Sequence, residues 1–501
     1  MFFLSFVKIF AMKIATATFQ TWLLMWMAAA PLVAQQTTPD TLTTNELQPI
    51  TVTAYRIVTT DLATPLSLSV LNKKQLQSGT QQLALDEALV NLPGVLVQNG
   101  SNFAQDVRLS IRGFGARSAF GIRGVRVMVD GFPETTPDGT SQVDAIDPGS
   151  LVGVGIIRSG TGGLYGNASG GYINFNTLEF EAKRETELAA SIGMFGFMKV
   201  QARTTGGKAD KFYYSLNGSY TNLDGYRDHS AMKNRLINGG FLIPVSPSFS
   251  VRGVVTYVNS PVAEDPGALS LDEFEYLPKQ ARESNVLNDA KEAVRQFRTG
   301  VALTKTFRQK HSIQASFYQS ARDFQAFLPY DYVDLQRIFS GGNFSYNFKS
   351  KPRTINWEFK LGMDLASQTD DRKRFGNYQG QKGLIYANQT ERFSSTGYYL
   401  IQKIQLGNHI SLLPAVRLDF QHASVDDHYL DDQRVDTFHQ QFKVFNPSLG
   451  LELMALPTLH FYLNGSRNYD VPTILEISQP RDFSGETFIL VANRFCANMN
   501  I

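Results

Sequence analysis

The stretch INWEFKLGMDL, residues 355–365, alternates apolar and polar side chains along its whole length. The apolar positions are Ile355, Trp357, Phe359, Leu361, Met363 and Leu365, and the polar positions between them are Asn356, Glu358, Lys360 and Asp364. Because successive side chains of a β-strand point to opposite faces, this pattern predicts a strand with one apolar face and one polar face. The stretch ISLLPAVRLDF, residues 410–420, repeats it. Such strands suit a soluble sandwich as well as a membrane barrel.

Strand length and the connections favour the barrel. The alternating runs last about ten to fourteen residues, longer than a typical soluble strand and enough to cross a bilayer when tilted. Short polar connections (GKAD, PVSPS, RQK, SKPR, GNH and LPT) take turns with long ones (Asn259–Arg295, Gln368–Glu391 and His422–Gln440). Outer-membrane barrels have this asymmetry, with short turns at one end and long loops at the other. We predict roughly twelve antiparallel strands between Glu185 and about Arg467, with one or two more beyond.

The N-terminus has the pattern of a secretory signal. Lys13 precedes the apolar run TWLLMWMAAAPLVA, which gives way to polar residues, so we expect a signal peptide at 1–34 with cleavage after Ala34. A membrane anchor is the alternative, but the apolar core of about ten residues is too short to span a bilayer of about 30 Å. Residues 35–58 are predicted to be a linker, within which Ile50–Ala54 alternates like a short strand that lacks a partner of its own.

A compact α+β domain is predicted at 59–178. In LDEALVNLPGV, the apolar residues Leu85, Ala88, Leu89 and Leu92 have helical spacing, and Pro93-Gly94 ends the helix. The segments VRLSIRG, VRVMVDG and VGVGIIRSG are typical of strands closed by glycine. The fold class that follows is mainly β: an N-terminal α+β domain and a transmembrane antiparallel barrel at 185–501.

Composition excludes several functions. The 47 Lys and Arg residues nearly balance 45 Asp and Glu residues, so the whole chain has no electrostatic reason to bind nucleic acid. The single cysteine, Cys496, cannot form an internal disulfide, and no Cys/His spacing suits a zinc or iron–sulfur site. The motifs contain no combination of nucleophile, general base and orienting group, so we do not expect an enzyme. We also expect no resident cofactor.

The order of the motifs resembles a TonB-dependent outer-membrane receptor. The segment PITVTA resembles the TonB box, LVNLPGVLV the first plug helix and its end, and IRGFG with VRVMVDGFP the central plug strands. RSGTGGLYGNASGGYINF resembles the closing signature of the plug, and NYDVPTILEISQP a barrel motif that precedes further strands. SIRGFGARSAFGIRGVRV and PDGTSQVDAID resemble the ferric-dicitrate and siderophore receptors within the family. The resemblance implies a plug domain inside a barrel of about 22 strands.

Only about 12 to 14 strands are expected here, so the sequence leads us to expect a barrel that is truncated or frame-shifted. The final NRFCANMNI lacks the alternation expected of a last barrel strand.

The resemblance also implies roles for particular residues. TonB binding falls on Ile50, Thr51, Val52, Thr53 and Ala54, which add as a strand to a sheet edge of TonB. Two plug arginines that meet wall glutamates in the family match Arg112 and Arg158, with Glu358 and Glu452 as their candidate partners; the alternative is that both glutamates only line a wet wall. Outward plug loops place Asn102, Arg117, Phe120 and Arg123 as candidate ligand contacts. The alternative for these arginines is pairing with acidic loop residues.

The implied function is active transport of a ferric siderophore or ferric citrate-type complex across the Gram-negative outer membrane. The iron travels within the chelate, and the expected partners are TonB with its inner-membrane energising complex, the ferric chelate and outer-membrane lipid. The alternatives are the same machinery for cobalamin, another metal chelate or a saccharide, or a non-functional truncated receptor. A porin is disfavoured because a plug would occlude its channel.

Overall fold

The computed structural model describes residue 56, residues 65–90, 92–116, 118, 121–158, 160–350, 355–407, 409–429, 437–456, 459–474 and 476, and the backbone of 492–500. Several sequence predictions lie outside these residues: the signal peptide at 1–34, the TonB-binding segment Ile50–Ala54, and the ligand candidates Arg117 and Phe120. None of the described helices is long and apolar enough to cross a membrane.

The N-terminal domain is built from short strands and helices. Its strands are β1 (Leu68–Asn72), β2 (Val95–Gln98), β3 (Arg108–Ile111), β4 (Ile122–Arg123), β5 (Val125–Val129), β6 (Phe132–Pro133), β7 (Thr140–Ser141), β8 (Gly153–Ile157) and β9 (Gly171–Asn176). Its helices are α1 (Lys73–Gln77), α2 (Leu85–Leu89), a 3-10 turn (Pro148–Ser150) and α3 (Gly162–Tyr165). The main sheet has the order β1-β8-β9-β5-β6, while β2 pairs with β3 and β4 with β7.

The core of this domain lies between α2 and the sheet. The predicted helical positions Leu85, Ala88 and Leu89 are buried there against residues of β3, β5, β8 and β9. In β5, every second residue is in the core: Val125, Val127 and Val129 are buried, while Arg126 and Met128 point the other way. One face of the sheet is therefore left to contact another part of the chain.

The rest of the chain forms one antiparallel sheet of 14 strands in sequence order among the described residues. The strands are β10 (Glu185–Ile192), β11 (Met198–Lys208), β12 (Phe212–Leu223), β13 (Met232–Ser246), β14 (Phe249–Glu264), β15 (Lys291–Phe307), β16 (His311–Phe327), β17 (Asp331–Lys349), β18 (Ile355–Tyr378), β19 (Gln381–Leu406), β20 (Ile410–Asp427), β21 (Phe438–Leu456), β22 (Leu459–Asp470) and β23 (Ala492–Asn500). Two short helices, α4 (Leu271–Tyr276) and α5 (Glu283–Leu287), lie between β14 and β15. The mainly β class is confirmed.

Burial along these strands is the reverse of that in a soluble sandwich. On β20, the apolar residues Val416 and Leu418 are 40% and 39% exposed, whereas Arg417 and Asp419 are 4% and 1% exposed. On β18, Leu361 and Leu365 are exposed while Asp370 is fully buried. A sheet that turns its apolar face outward and its charged face inward is stable where lipid surrounds it. The predicted alternation therefore belongs to a barrel wall.

One prediction about the connections needs correction. The predicted loop Gln368–Glu391 is instead the outer part of β18 and β19, which turn at Gln379 and Gly380. The polar residues there pair across the strands, as in the ion pair between Arg372 and Glu391, so hydrophilic sequence did not mean loop. The C-terminal segment lacks the alternation expected of a last barrel strand, yet it forms β23 and pairs with β22 through its backbone, which needs no alternation of side chains.

Candidate functional site

The N-terminal domain contacts the inward face of the wall in part through ion pairs. Arg298 of β15 donates to Glu134 at 2.9 Å, and Gln296 donates to the other oxygen of that carboxylate at 2.9 Å. Arg322 of β16 donates to both oxygens of Asp144, at 3.2 and 2.8 Å. In both contacts the wall supplies the cation and the plug supplies the carboxylate.

A third contact has the same polarity. Lys199 of β11 pairs with Asp147 and also donates to the main-chain oxygen of Gln82 at 2.6 Å. The Lys199 and Asp147 side chains are 4% and 7% exposed. Removing either partner of such a pair leaves a buried charge without compensation, which costs roughly 3 to 5 kcal/mol. These three cations therefore fasten the plug to the wall.

The predicted pairs of plug arginine and wall glutamate are not formed among the described residues. Arg158 donates to the main-chain oxygen of Pro93 at 2.7 Å and to Ser69 at 2.8 Å, both within the plug. Arg112 donates to Ser67 at 3.3 Å. The pKa of Arg158 is lowered, mainly by burial and to a smaller extent by the neighbouring positive charge of Arg112. The two arginines are thus close to each other and to the strand β1.

The two predicted glutamates have other partners. Glu358 pairs with Lys349 across the β17–β18 turn at 2.6 Å, and Glu452 accepts from His460 at 3.1 Å. Each glutamate lies within four residues of the short-turn end of its strand, because β18 begins at Ile355 and β21 ends at Leu456. Both glutamates lie on the polar parity of their strands, which faces the lumen. Their partners depend on their position along the strand axis relative to the plug.

A cluster of charges on the wall also holds the start of the plug. Arg417 donates to Asp364 at 2.6 Å and to the two oxygens of Asp419 at 2.8 and 3.0 Å. Arg56 pairs with Asp364 as well, and its guanidinium lies 3.9 Å from the ring centroid of Tyr399. Such a cation–ring contact adds to the ion pair. In the sequence, Arg56 follows the predicted TonB-binding segment by two residues, so this wall cluster binds the chain just after that segment.

The outward face of the plug is contacted by the loop between β14 and β15. Asn102 and Gln105 donate to the two oxygens of Asp265 at 3.1 and 3.2 Å. Asn102, a predicted ligand contact, is therefore already bound to the wall. Arg123, another of these candidates, pairs with Glu476 and donates to the main-chain oxygen of Val471 at 3.0 Å. For Arg123 the structure favours the alternative of an acidic partner.

Acidic side chains crowd together next to this face. Gln142 donates to Asp106 at 3.4 Å, and Asp144 lies near enough to affect the same carboxyl. Burial, reinforced by the Asp144 charge, raises the pKa of Asp106 to about 6. No group of three or more His, Cys, Asp or Glu side chains among the described residues is arranged to hold a metal ion.

Sequence reasoning missed the contacts made by the wall cations. Their positions had a detectable feature, because Arg298 and Arg322 occupy the polar parity of their strands. Asp144 and Asp147 also lie in PDGTSQVDAID, a segment singled out for its resemblance to ferric-dicitrate receptors. No pattern along the chain shows which wall cation pairs with which plug carboxylate.

Comparison with solved structures finds the same arrangement of domains. The ferric citrate transporter FecA in its unliganded form superposes with a TM-score of 0.70 at 17% identity, over 81% of this chain and 63% of that one. The ferric yersiniabactin uptake receptor FyuA from Yersinia pestis gives 0.65 at 16%, over 82% and 65%. The copper transporter OprC gives 0.66 at 16%, over 85% and 66%. The chain thus spans just under two thirds of the length of each, and at these identities the likeness is one of fold.

Family models match both parts of the chain. The TonB-dependent Receptor Plug Domain matches residues 60–172, which include β1 to β8 and the start of β9. The TonB dependent receptor-like beta-barrel matches residues 264–493, which include β15 to β22. Both families, and the similar structures, are named as receptors or transporters rather than enzymes. With a plug fastened inside a wall of lipid-facing strands, the chain belongs to the TonB-dependent receptors of the Gram-negative outer membrane.

Proposed function

We propose that the chain imports a ferric siderophore or ferric citrate-type complex across the outer membrane, with energy supplied through TonB. The observation that carries this proposal is the charged plug–wall interface made by Lys199, Arg298 and Arg322. When the plug moves, water can hydrogen-bond to the charged and polar groups that separate, whereas it cannot substitute for apolar packing. The plug can therefore shift against the wall while its own apolar core stays intact. The iron-chelate class is supported by similarity to the ferric citrate and ferric yersiniabactin proteins.

TonB is proposed to bind Ile50–Ala54, which would add as a strand to a sheet edge of TonB through main-chain hydrogen bonds. The pairing of Arg56 with Asp364 supports a route for the force, because Arg56 is two residues away and is attached to the wall. Tension on the segment loads this ion pair before it loads the plug sheet. Release of Arg56 is the first step that we expect on the path to an open lumen.

Deletion of Ile50–Ala54 tests the proposal. Growth of a strain that depends on this receptor should stop on every ferric chelate that the intact chain supports, while the purified protein still binds radio-iron-labelled chelate. Deletion of Thr37–Thr41 is the matched control, since it removes five residues from the same linker and should leave growth unchanged. Continued growth after deletion of Ile50–Ala54 would contradict TonB-driven import, and lack of growth on any ferric chelate with the intact chain would contradict the cargo.

A copper chelate is the second candidate, because the similar structures include a copper transporter. The two cargoes are separated by offering the purified receptor ferric and cupric complexes of one chelator in competition. Preference for the cupric complex, together with copper accumulation that depends on Ile50–Ala54, would favour the second candidate over the first.

A further inference from the structure

A cavity of about 810 Å³ lies between the plug and the wall, apart from the outward face described above. Among the residues lining it are Asn72 of β1, Ser250 of β14, Thr304 of β15 and Gln314 of β16. Three of these lie within three residues of a short turn, since β14 begins at Phe249, β15 ends at Phe307 and β16 begins at His311. Short turns of outer-membrane barrels face the periplasm. The cavity therefore reaches into the inner half of the lumen, and at Gln421 and Tyr469 it extends toward the outer ends of β20 and β22.

The cations that line this cavity outnumber the acids. The cations are Arg56, Lys73, Arg126, Arg252, Lys360 and Arg417, and the acids are Asp130, Glu179, Asp364 and Asp419. Most of the acids already have donors. Asp364 and Asp419 are held by Arg56 and Arg417 as described above. The cavity therefore has an excess of positive charge.

Asp130 is also satisfied within the plug. It accepts from the main-chain nitrogen and the hydroxyl of Thr177, at 2.7 and 2.6 Å, and from the nitrogen of Leu178 at 3.2 Å. The nearby Arg252 instead lies with its guanidinium 5.3 Å from the ring centroid of Phe132. Asp130 thus makes its hydrogen bonds within the plug sheet and forms no ion pair with Arg252, although its charge acts on that guanidinium.

Three of the cavity's cations have no carboxylate within ion-pair distance among the described residues: Arg126, Arg252 and Lys360. Lys360 donates only to the amide oxygen of Gln314, at 3.1 Å. Arg126 is on the face of β5 that points away from the plug core, and burial lowers its pKa. A largely buried guanidinium without a carboxylate is stabilised when an anion arrives.

The three cations come from different elements around one space, namely β5 of the plug and β14 and β18 of the wall. Hydroxyl and amide groups of Thr304, Ser316 and Asn343 also line it. A volume of about 810 Å³ falls in the range of small-molecule sites, which is about 300 to 1,000 Å³. Guanidinium groups bind carboxylates through two parallel hydrogen bonds.

We propose that this cavity is a binding site for a small polycarboxylate anion, with Arg126, Arg252 and Lys360 as its charged contacts. It is a second site on the inner side of the plug, separate from Arg123 and Asn102 on the outward face. The anion is either free or forms the outer surface of a metal chelate. Resting on the proposed import function, this site would be a second binding site along the path of the cargo. The binding of an anion here requires neither iron nor TonB.

Citrate binding to the purified full chain in detergent tests the proposal, with free citrate as the probe and calorimetry or equilibrium dialysis as the readout. Arg126→Gln, Arg252→Gln and Lys360→Gln should each weaken citrate binding about tenfold or more, as expected for the loss of a charge-assisted hydrogen bond. Lys208→Gln is the matched control, because it removes one positive charge from an exposed residue near a short turn and should not change the affinity. Arg123→Gln tests the outward face instead: loss of citrate binding in this variant, with binding kept in the three cavity variants, would place the anion at that face.

A second measurement uses only the unaltered protein, so it does not depend on variants that fold. Citrate binding should weaken as salt is raised, and the uncharged triethyl citrate should not bind. The proposal is overturned if the three variants bind citrate as the unaltered chain does, if Arg123→Gln alone abolishes binding, or if triethyl citrate binds equally well. Because no iron and no uptake are involved, these results are independent of the growth test for the proposed import.

Discussion

The wall residue Asp364 forms ion pairs both with Arg417 of the wall and with Arg56 at the beginning of the plug. Arg417 donates to one of its oxygens at 2.6 Å, where Arg56 also pairs, and Asn343 donates to the other oxygen at 2.7 Å. A carboxylate has about four acceptor positions, so it can serve all three donors. Asn446 completes the cluster by donating to Asp419 at 3.3 Å. Charges that are costly in isolation are compatible with a buried lumen here because each has a partner.

Asp364→Asn tests the value of this shared charge. The substitution keeps the size of the side chain but leaves Arg56 without its carboxylate, so the free energy of unfolding should fall by roughly 2 to 3 kcal/mol, at the lower end for a partly exposed pair. The measurement is guanidinium unfolding in detergent. Asp371→Asn on the same strand is the control, because Asp371 is exposed and its contact with Lys373 is 3.7 Å long. Equal unfolding midpoints for both variants would show that the cluster contributes no stability.

At the scale of elements, the outer ends of the strands determine what can reach the plug. The strands β18 and β19 contain 24 and 26 residues, against about 9 to 11 needed to cross a bilayer. Their outer halves therefore extend beyond the bilayer, where polar residues such as Thr369, Asp371 and Lys373 replace the apolar side chains on the outward parity of β18. The loop that carries α4 and α5 bends over the plug, where Asp265 meets Asn102 and Gln105.

Asp265→Ala tests whether this loop restrains the plug. Asn102 and Gln105 lose both hydrogen bonds to the wall, so amide hydrogen exchange of residues 99–106 should become several-fold faster, while the core strand β5 is unchanged. Asp272→Ala in the same loop is the control, because Asp272 is exposed. Unchanged exchange at 99–106 would mean that the plug loop is held by its own turns rather than by the wall.

For the whole molecule, an important feature is that many contacts between the plug and the barrel are made by polar groups. Ser169 donates to Asp470 at 2.7 Å and the nitrogen of Gly162 to Asn468 at 2.8 Å, in addition to the three wall cations. Apolar contacts are also present in three places: Tyr165 and Tyr172 cluster with Tyr399, Phe132 with Val254 and Tyr318, and Ala145 with Leu236 and Val258. The interface therefore combines ion pairs and hydrogen bonds with local apolar packing.

Neutralising the plug carboxylates Glu134, Asp144 and Asp147 to their amides should loosen the plug as a unit. Three wall cations then lack their anions, so the outer membrane of cells with this variant should admit a large antibiotic such as vancomycin, and the minimum inhibitory concentration should fall. The control changes three exposed acids of the outer loop in the same way, at Asp272, Glu275 and Glu283. Equal sensitivity of the two strains would indicate that the charged contacts do not hold the plug.

Patterns along the chain were enough for the architecture. Alternation with a period of two predicts strands, the spacing of apolar residues predicts α2, and the described strands end beside the predicted short connections. These features are local, because backbone geometry links each residue to its near neighbours. Polarity alone wrongly predicted a loop at Gln368–Glu391, since cross-strand ion pairs such as Arg372 with Glu391 join the polar residues of a hairpin.

The contacts of the site were decided by tertiary structure. The sequence by itself determined that charged residues of one parity face inward, but not the height at which each meets the plug. Thus Arg158 contacts Pro93 and Ser69 rather than a wall glutamate, while Arg322, distant in sequence, meets Asp144. Partners in a lumen are chosen by how two separately folded parts dock, and a one-dimensional pattern does not contain the rotation and depth of that docking.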